Sequence, residues 1–112
     1  MAQQHGLWPW LLQRVTGLYL VFGMAVHIIV LPLSKEAITF ESVAARLQSP
    51  WWVLFDFSLL SVCVYHGFNG LWSVFLDFNP SERLRQGFGW VLALFGLIWV
   101  VFGIFVLVPF TK

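Results

Sequence analysis

Three long apolar stretches leave this chain few ways to fold. They cover about residues 10–33, 51–76 and 88–109. Each is close to the ~20 residues that cross a ~30 Å hydrocarbon core, so each reads as a membrane-spanning helix. Composition agrees. Of 112 residues, 60% are hydrophobic and 10% charged, against about a quarter charged in soluble domains. A soluble domain this small has no core able to hide so much apolar surface. The net charge of +1 gives no basic field, which excludes nucleic acid as a partner. A single cysteine, Cys63, excludes a disulfide framework and any metal site built on thiolates. The expected class is an all-α membrane protein of three transmembrane helices, in one domain over residues 1–112.

The charges fall between the apolar stretches. Lys35, Glu36, Glu41 and Arg46 lie in the first connection, and Asp77, Glu82, Arg83 and Arg85 at or in the second. Pro32, Pro50, Pro80 and Pro109 stand at or near segment ends, where a missing N–H does least harm. Trp8, Trp10, Trp51 and Trp52 sit where interfacial anchors are expected. Phe40, Val43, Ala44 and Leu47 recur at helical spacing and predict a short interfacial helix. The first stretch is too long for a cleavable signal, and no small-residue cleavage site follows it. Arg14, Arg83 and Arg85 fall on one side of the membrane, Lys35, Arg46 and Lys112 on the other. That is a tie under the positive-inside rule; the close Arg83/Arg85 pair tilts the reading to an N-terminus inside.

Ionisable residues at membrane depth are costly and call for a reason. On the first helix Thr16, Leu20, Gly23 and His27 share a stripe. Gly23 leaves space one turn from His27, for a flat bulky group or for a close helix. On the second helix Cys63, His66, Gly70, Ser73 and Asp77 are three, four, three and four apart, again one stripe, with Asn69 beside it. Each histidine either hydrogen-bonds a neighbouring helix or ligates a metal through neutral imidazole. Two histidines, each with a glycine one turn away, favour axial ligation of haem. Cys63 is expected to be a small packing residue. His5 is expected at a solvated terminus, and Asp56 as an acid near a helix N-terminus.

Depth limits how ligation works. The two helices run antiparallel, with His27 late in the first and His66 past the middle of the second. Two axial ligands of one haem sit at nearly the same depth, so this chain does not clamp a single haem alone. Either each histidine serves a separate haem with a partner chain, or only one is a ligand. Arg14 and Asp77 fall near one interface. Asp77 ends a helix where the dipole disfavours it, so a partner such as Arg14 or Arg83 is expected, or a role in proton delivery. Arg14 equally suits a haem propionate. Gly89, Gly96 and Gly103 recur every seven residues on the uncharged third stretch, which reads as a packing seam.

Several blocks together resemble a known family. Arg14-Val15-Thr16-Gly17, then His27, then Ser49-Pro50 with an aromatic pair, then His66-Gly67-Phe68-Asn69-Gly70-Leu71 and Asp77-Phe78 look like the small hydrophobic membrane anchor of succinate dehydrogenase; fumarate reductase anchors are related. The resemblance covers about residues 10–80. It implies three helices with the N-terminus inside, packed with a second membrane anchor into a haem-binding bundle. It implies iron–sulfur and flavoprotein subunits held on the membrane, one or two haems b, and a quinone site, with lipid around the helices. It places His66 at the haem-ligand position of the second helix and His27 at the extra histidine of two-haem members. Arg14 would lie near a haem propionate or the quinone, and Asp77 near the quinone or a proton path. Many members carry tyrosine after the aspartate as a quinone donor, whereas Phe78 has no donor. Trp8, Trp10 or a residue of the second anchor would then donate, or the site lies elsewhere.

The expected function is therefore a haem-b-binding anchor of succinate:quinone oxidoreductase. The chain has no flavin or nicotinamide fingerprint and no catalytic activity alone. Its expected place is a bacterial cytoplasmic membrane rather than the mitochondrial inner membrane. The alternatives are a fumarate reductase anchor, another di-haem cytochrome b subunit, or a haem-free structural membrane subunit. Cytochrome subunits of hydrogenases or formate dehydrogenases usually hold both ligands of a haem within one longer chain, which argues against them.

Overall fold

The computed structural model describes residues 6–33 and 38–111. His5, Lys35, Glu36 and Lys112 lie outside the described residues. Helix α1 spans Leu7–Leu33, α2 Phe40–Leu47, α3 Pro50–Asp77 and α4 Glu82–Leu107, followed by a 3-10 turn over Val108–Thr111. Among the described residues there is no strand.

Local chemistry sets the element ends. Thr39 is extended and accepts from Ser42 N–H through its side chain, while the Ser42 hydroxyl accepts from the Thr39 N–H. This reciprocal box satisfies donors that the first turn of α2 would leave free. Pro50 opens α3, where its fixed φ suits the first turn and no donor is lost. Between α3 and α4, Asn79 takes a left-handed φ of 50°, which asparagine tolerates well. Pro80 follows and stops the helix from continuing. α4 begins at Glu82, six residues before the apolar stretch, because charge at a helix start does not prevent helix.

Three of the elements are long and apolar enough to cross a membrane: Leu7–Ile29, Pro50–Asp77 and Glu82–Thr111. They are antiparallel in sequence order, with α3 between α1 and α4. α1 and α4 share no comparable interface, so the molecule is a slab, 53 × 25 × 20 Å along its principal axes. A slab has little interior. Among the described residues Leu47, Leu59 and Leu76 are the buried apolar side chains, while Phe22, Leu71, Trp90 and Phe105 are among many left open. Such a surface is stable against lipid or other apolar helices and not against water. The chain is an integral membrane protein whose fold is finished by its surroundings.

Glycines set the helix spacing. A Cβ on Gly23 would come within 2.8 Å of Leu59 Cδ1, and one on Gly103 would overlap Leu60. A Cβ on Gly96 would stand 3.3 Å from the Phe68 ring. Close backbone approach of this kind is what drives helix association in lipid, where apolar burial supplies little. At the α3–α4 turn, Trp72 stacks on Phe88 at 6.3 Å, and Phe75 lies 4.2 Å from the same ring. The space beside Gly23 is thus bounded by Leu59 of α3 and by the Tyr19 ring one turn earlier on α1. The seam of Gly89, Gly96 and Gly103 faces Trp72, Phe68 and Leu60 of α3.

Candidate functional site

The histidines of the spans stand on the α1–α3 interface at two levels, and between them the Tyr19 hydroxyl and Ser58 Oγ share a hydrogen bond. The first level is centred on His66. Its Nδ1 lies 3.0 Å from Thr16 Oγ1, and its Nε2 lies 3.5 Å from Gln13 Nε2. Thr16 donates its one hydroxyl hydrogen to the Leu12 carbonyl at 2.6 Å. The hydroxyl oxygen therefore accepts from His66, which puts the imidazole hydrogen on Nδ1 and the lone pair on Nε2. Asn69 donates to the Pro9 carbonyl at 3.0 Å and to Gln13 Oε1 at 2.8 Å. That fixes the Gln13 amide with its NH2 toward His66 Nε2. The chain of donors runs from Asn69 through Gln13 and His66 to Thr16 and the α1 backbone.

Small residues make this level possible. A Cβ on Gly17 would lie 3.1 Å from His66 Cε1, and one on Gly70 3.1 Å from Gln13 Nε2. The imidazole occupies the notch that Gly17 leaves. The ring therefore suits an axial iron ligand: Nδ1 is tied to the protein, and the nitrogen with the lone pair faces only a neutral amide at the long end of hydrogen-bond reach. Withdrawal of the Gln13 side chain would free it.

The second level holds His27. Its Nδ1 is 3.3 Å from Asp56 Oδ1 on α3, and Asp56 Oδ2 accepts from Arg46 Nη2 of α2 at 3.5 Å. The His27 ring is also compatible with iron ligation: Nδ1 is buried against the carboxylate, while the side chain as a whole is only partly covered. His66 stands level with Thr16 on α1, and His27 follows Thr16 by eleven residues. At 1.5 Å per residue the two rings are about 16 Å apart along the helix.

Arg14 and Asp77 do not meet. The Arg14 guanidinium lies over the Trp10 ring, 4.5 Å from its centroid. Asp77 is exposed at the end of α3 and forms no ion pair; the expected contact with Arg14 or Arg83 is absent among the described residues. Arg14 sits near the level of His66, while Asp77 lies eleven residues further along α3, beyond the reach of one salt bridge. Phe78 is 80% exposed beside it. Cys63, expected as a small packing residue, is exposed in this chain.

Sequence reading missed two sets of partners. Gln13 is polar at helix depth and one turn from Pro9, which was a usable signal. Asp56 and His27 are far apart in sequence, and only the antiparallel register of α1 and α3 joins them.

Comparison with known proteins adds a family. The model of the succinate dehydrogenase/fumarate reductase transmembrane subunit matches residues 1–105. The chain is 33% identical over 93 residues to a succinate dehydrogenase hydrophobic membrane anchor subunit of Thermoplasma acidophilum, covering 81% of this chain and 76% of that one. It is 35% identical over 96 residues to the protein of the same description in Halobacterium salinarum, covering 83% and 74%. A succinate dehydrogenase 2 membrane subunit SdhC of Mycobacterium tuberculosis is 26% identical over 106 residues, covering 90% and 76%.

Proposed function

The chain belongs to the succinate dehydrogenase/fumarate reductase transmembrane subunit family, and from that premise we propose that it is a haem-b-binding anchor that helps pass electrons from succinate to quinone. One observation carries the haem reading. Two histidines stand at separate depths on one helix interface, each with Nδ1 turned to a protein partner, Thr16 or Asp56. Orienting one nitrogen of an imidazole in this way is how proteins prepare the other for a metal.

In this reading His66 and His27 would each hold a separate haem b, together with residues of the second membrane anchor. Bound haem supplies one-electron transfer between the iron–sulfur side and quinone. The protein residues hold and tune it. Thr16 fixes the His66 ring, and Gly17 gives the ring its place between helices. Arg14 has no acidic partner among the described residues and offers its guanidinium to a propionate or a quinone carbonyl. Asp77, without an ion pair among the described residues, stands exposed at the end of α3, where it would line a proton path to the quinone. Phe78 cannot donate, so the hydrogen bond to quinone comes from Trp8, Trp10 or the second anchor.

With the N-terminus inside, as the Arg83/Arg85 pair favours, His66 lies on the side of the iron–sulfur and flavoprotein subunits and His27 on the distal side. The open faces of the slab then meet the second anchor and lipid, in a bacterial cytoplasmic membrane. The direction of turnover, succinate oxidation or fumarate reduction, is set by the catalytic subunits and the quinone. In the assembled complex His66→Ala is expected to remove one low-spin haem signal. Full haem content with an unchanged spectrum would make His66 a packing residue only.

A further inference from the structure

The strongest constellation outside the His66 level joins three helices. His27 of α1, Arg46 of α2 and Asp56 of α3 meet where α2 touches the spans. The side chains of Arg46 and Asp56 are 14% and 12% exposed, and the guanidinium also covers the Trp52 ring at 5.2 Å. A carboxylate this enclosed in a membrane span needs a reason. The helix dipole does not give one: Asp56 lies six residues past Pro50, and the dipole acts within the first turn. Arg46 balances one oxygen. The other oxygen, Oδ1, has no hydrogen bond among the described residues, and neither has His27 Nδ1. Each of these buried atoms has only the other, 3.3 Å away.

We infer that Asp56 is the positioning residue for His27 as an iron ligand, with Arg46 holding the carboxylate in place. The inference rests on the proposed reading of His27 as an axial ligand. An ionised carboxylate only accepts hydrogen bonds. It therefore keeps the ring hydrogen on Nδ1 and the lone pair on Nε2, which is turned away from the seal. The His27 side chain stays 33% exposed, so the ligand nitrogen has a way out while Nδ1 does not. A carboxylate behind an imidazole also raises its basicity, which favours ferric over ferrous iron and lowers the potential. Arg46 belongs to the short helix α2, so α2 gains a purpose: it brings the cation that faces the Asp56 carboxylate and holds it in place.

The test uses the intact complex with its haems titrated optically. Asp56→Asn keeps the size and removes the charged acceptor. The expected result is an upward shift in the potential of one haem, with the haem at His66 unmoved, and recovery in Asp56→Glu. Because Asp56→Asn leaves Arg46 unpaired, a double variant, Asp56→Asn with Arg46→Gln, keeps the region neutral and is expected to shift the same haem in the same direction. If His27→Ala removes one haem but neither Asp56 variant moves a potential, Asp56 does not position His27, and the ligand reading stands. If His27→Ala removes no haem, the ligand reading fails and the role of Asp56 fails with it.

Discussion

Thr16 Oγ1 lies 3.0 Å from His66 Nδ1 across the α1–α3 interface, and the Leu12 carbonyl takes the hydroxyl hydrogen. Together these contacts decide which imidazole nitrogen keeps its lone pair. Thr16→Val retains the shape and removes the acceptor. Changes behind a ligating imidazole typically cost about 10–100-fold in metal affinity. Haem at His66 is expected to be retained more weakly by roughly that factor, read as haem lost on dilution of the purified complex. Unchanged retention and spectrum would mean that Thr16 only packs.

The His66 level also contains a side chain that stands in the way. Gln13 Nε2 is 3.5 Å from His66 Nε2, so ligation needs this amide to move. Gln13→Ala is expected to leave haem content intact or raise it, measured as haem per flavin. A loss of haem would make Gln13 part of the site.

Helix spacing depends on glycines at defined contacts. Gly103→Leu must displace Leu60, and Gly23→Leu must displace Leu59. Overpacking of this sort costs about 1–3 kcal/mol. Both variants are expected to lower the thermal midpoint at which the purified complex dissociates. Gly87 has nothing within 4 Å of an added Cβ, and Gly87→Ala is expected to gain about 0.5–1 kcal/mol from helix propensity. Equal effects at all three positions would mean that the glycine seams do not set the spacing.

Asp77 is exposed and forms no ion pair among the described residues. Asp77→Asn is therefore expected to change stability by less than about 0.5 kcal/mol and to leave haem in place. Quinone reduction is expected to slow if Asp77 holds the proton for it. Unchanged turnover with quinone would take Asp77 out of the reaction.

Much of the architecture is legible in the sequence because hydrocarbon imposes simple rules. The three spans follow from apolar length, and α2 from four apolar positions capped by Thr39. The offset between His27 and His66 follows from counting residues along antiparallel helices. The glycine periods predict close seams, which Leu59, Leu60 and Phe68 fill. Other features do not follow, since a period names a face and not what covers it. The stripe from Cys63 to Asp77 has one orientation, yet α1 covers His66 and Gly70 while Cys63 and Asp77 stay open. The meeting of His27 with Asp56 depends on the register of two helices, and the arrival of Arg46 depends on how α2 folds back. Neither is written in local spacing.

In the proposed function this one chain contributes a ligand at each of two depths. A reduced-minus-oxidised optical titration of the purified complex, with haem counted per flavin, tests it most directly. Two haems b per flavin at separable potentials are predicted, one lost in His66→Ala and the other in His27→Ala. A spectrum without haem, or a single haem indifferent to both substitutions, would contradict the account and leave the chain as an anchor alone.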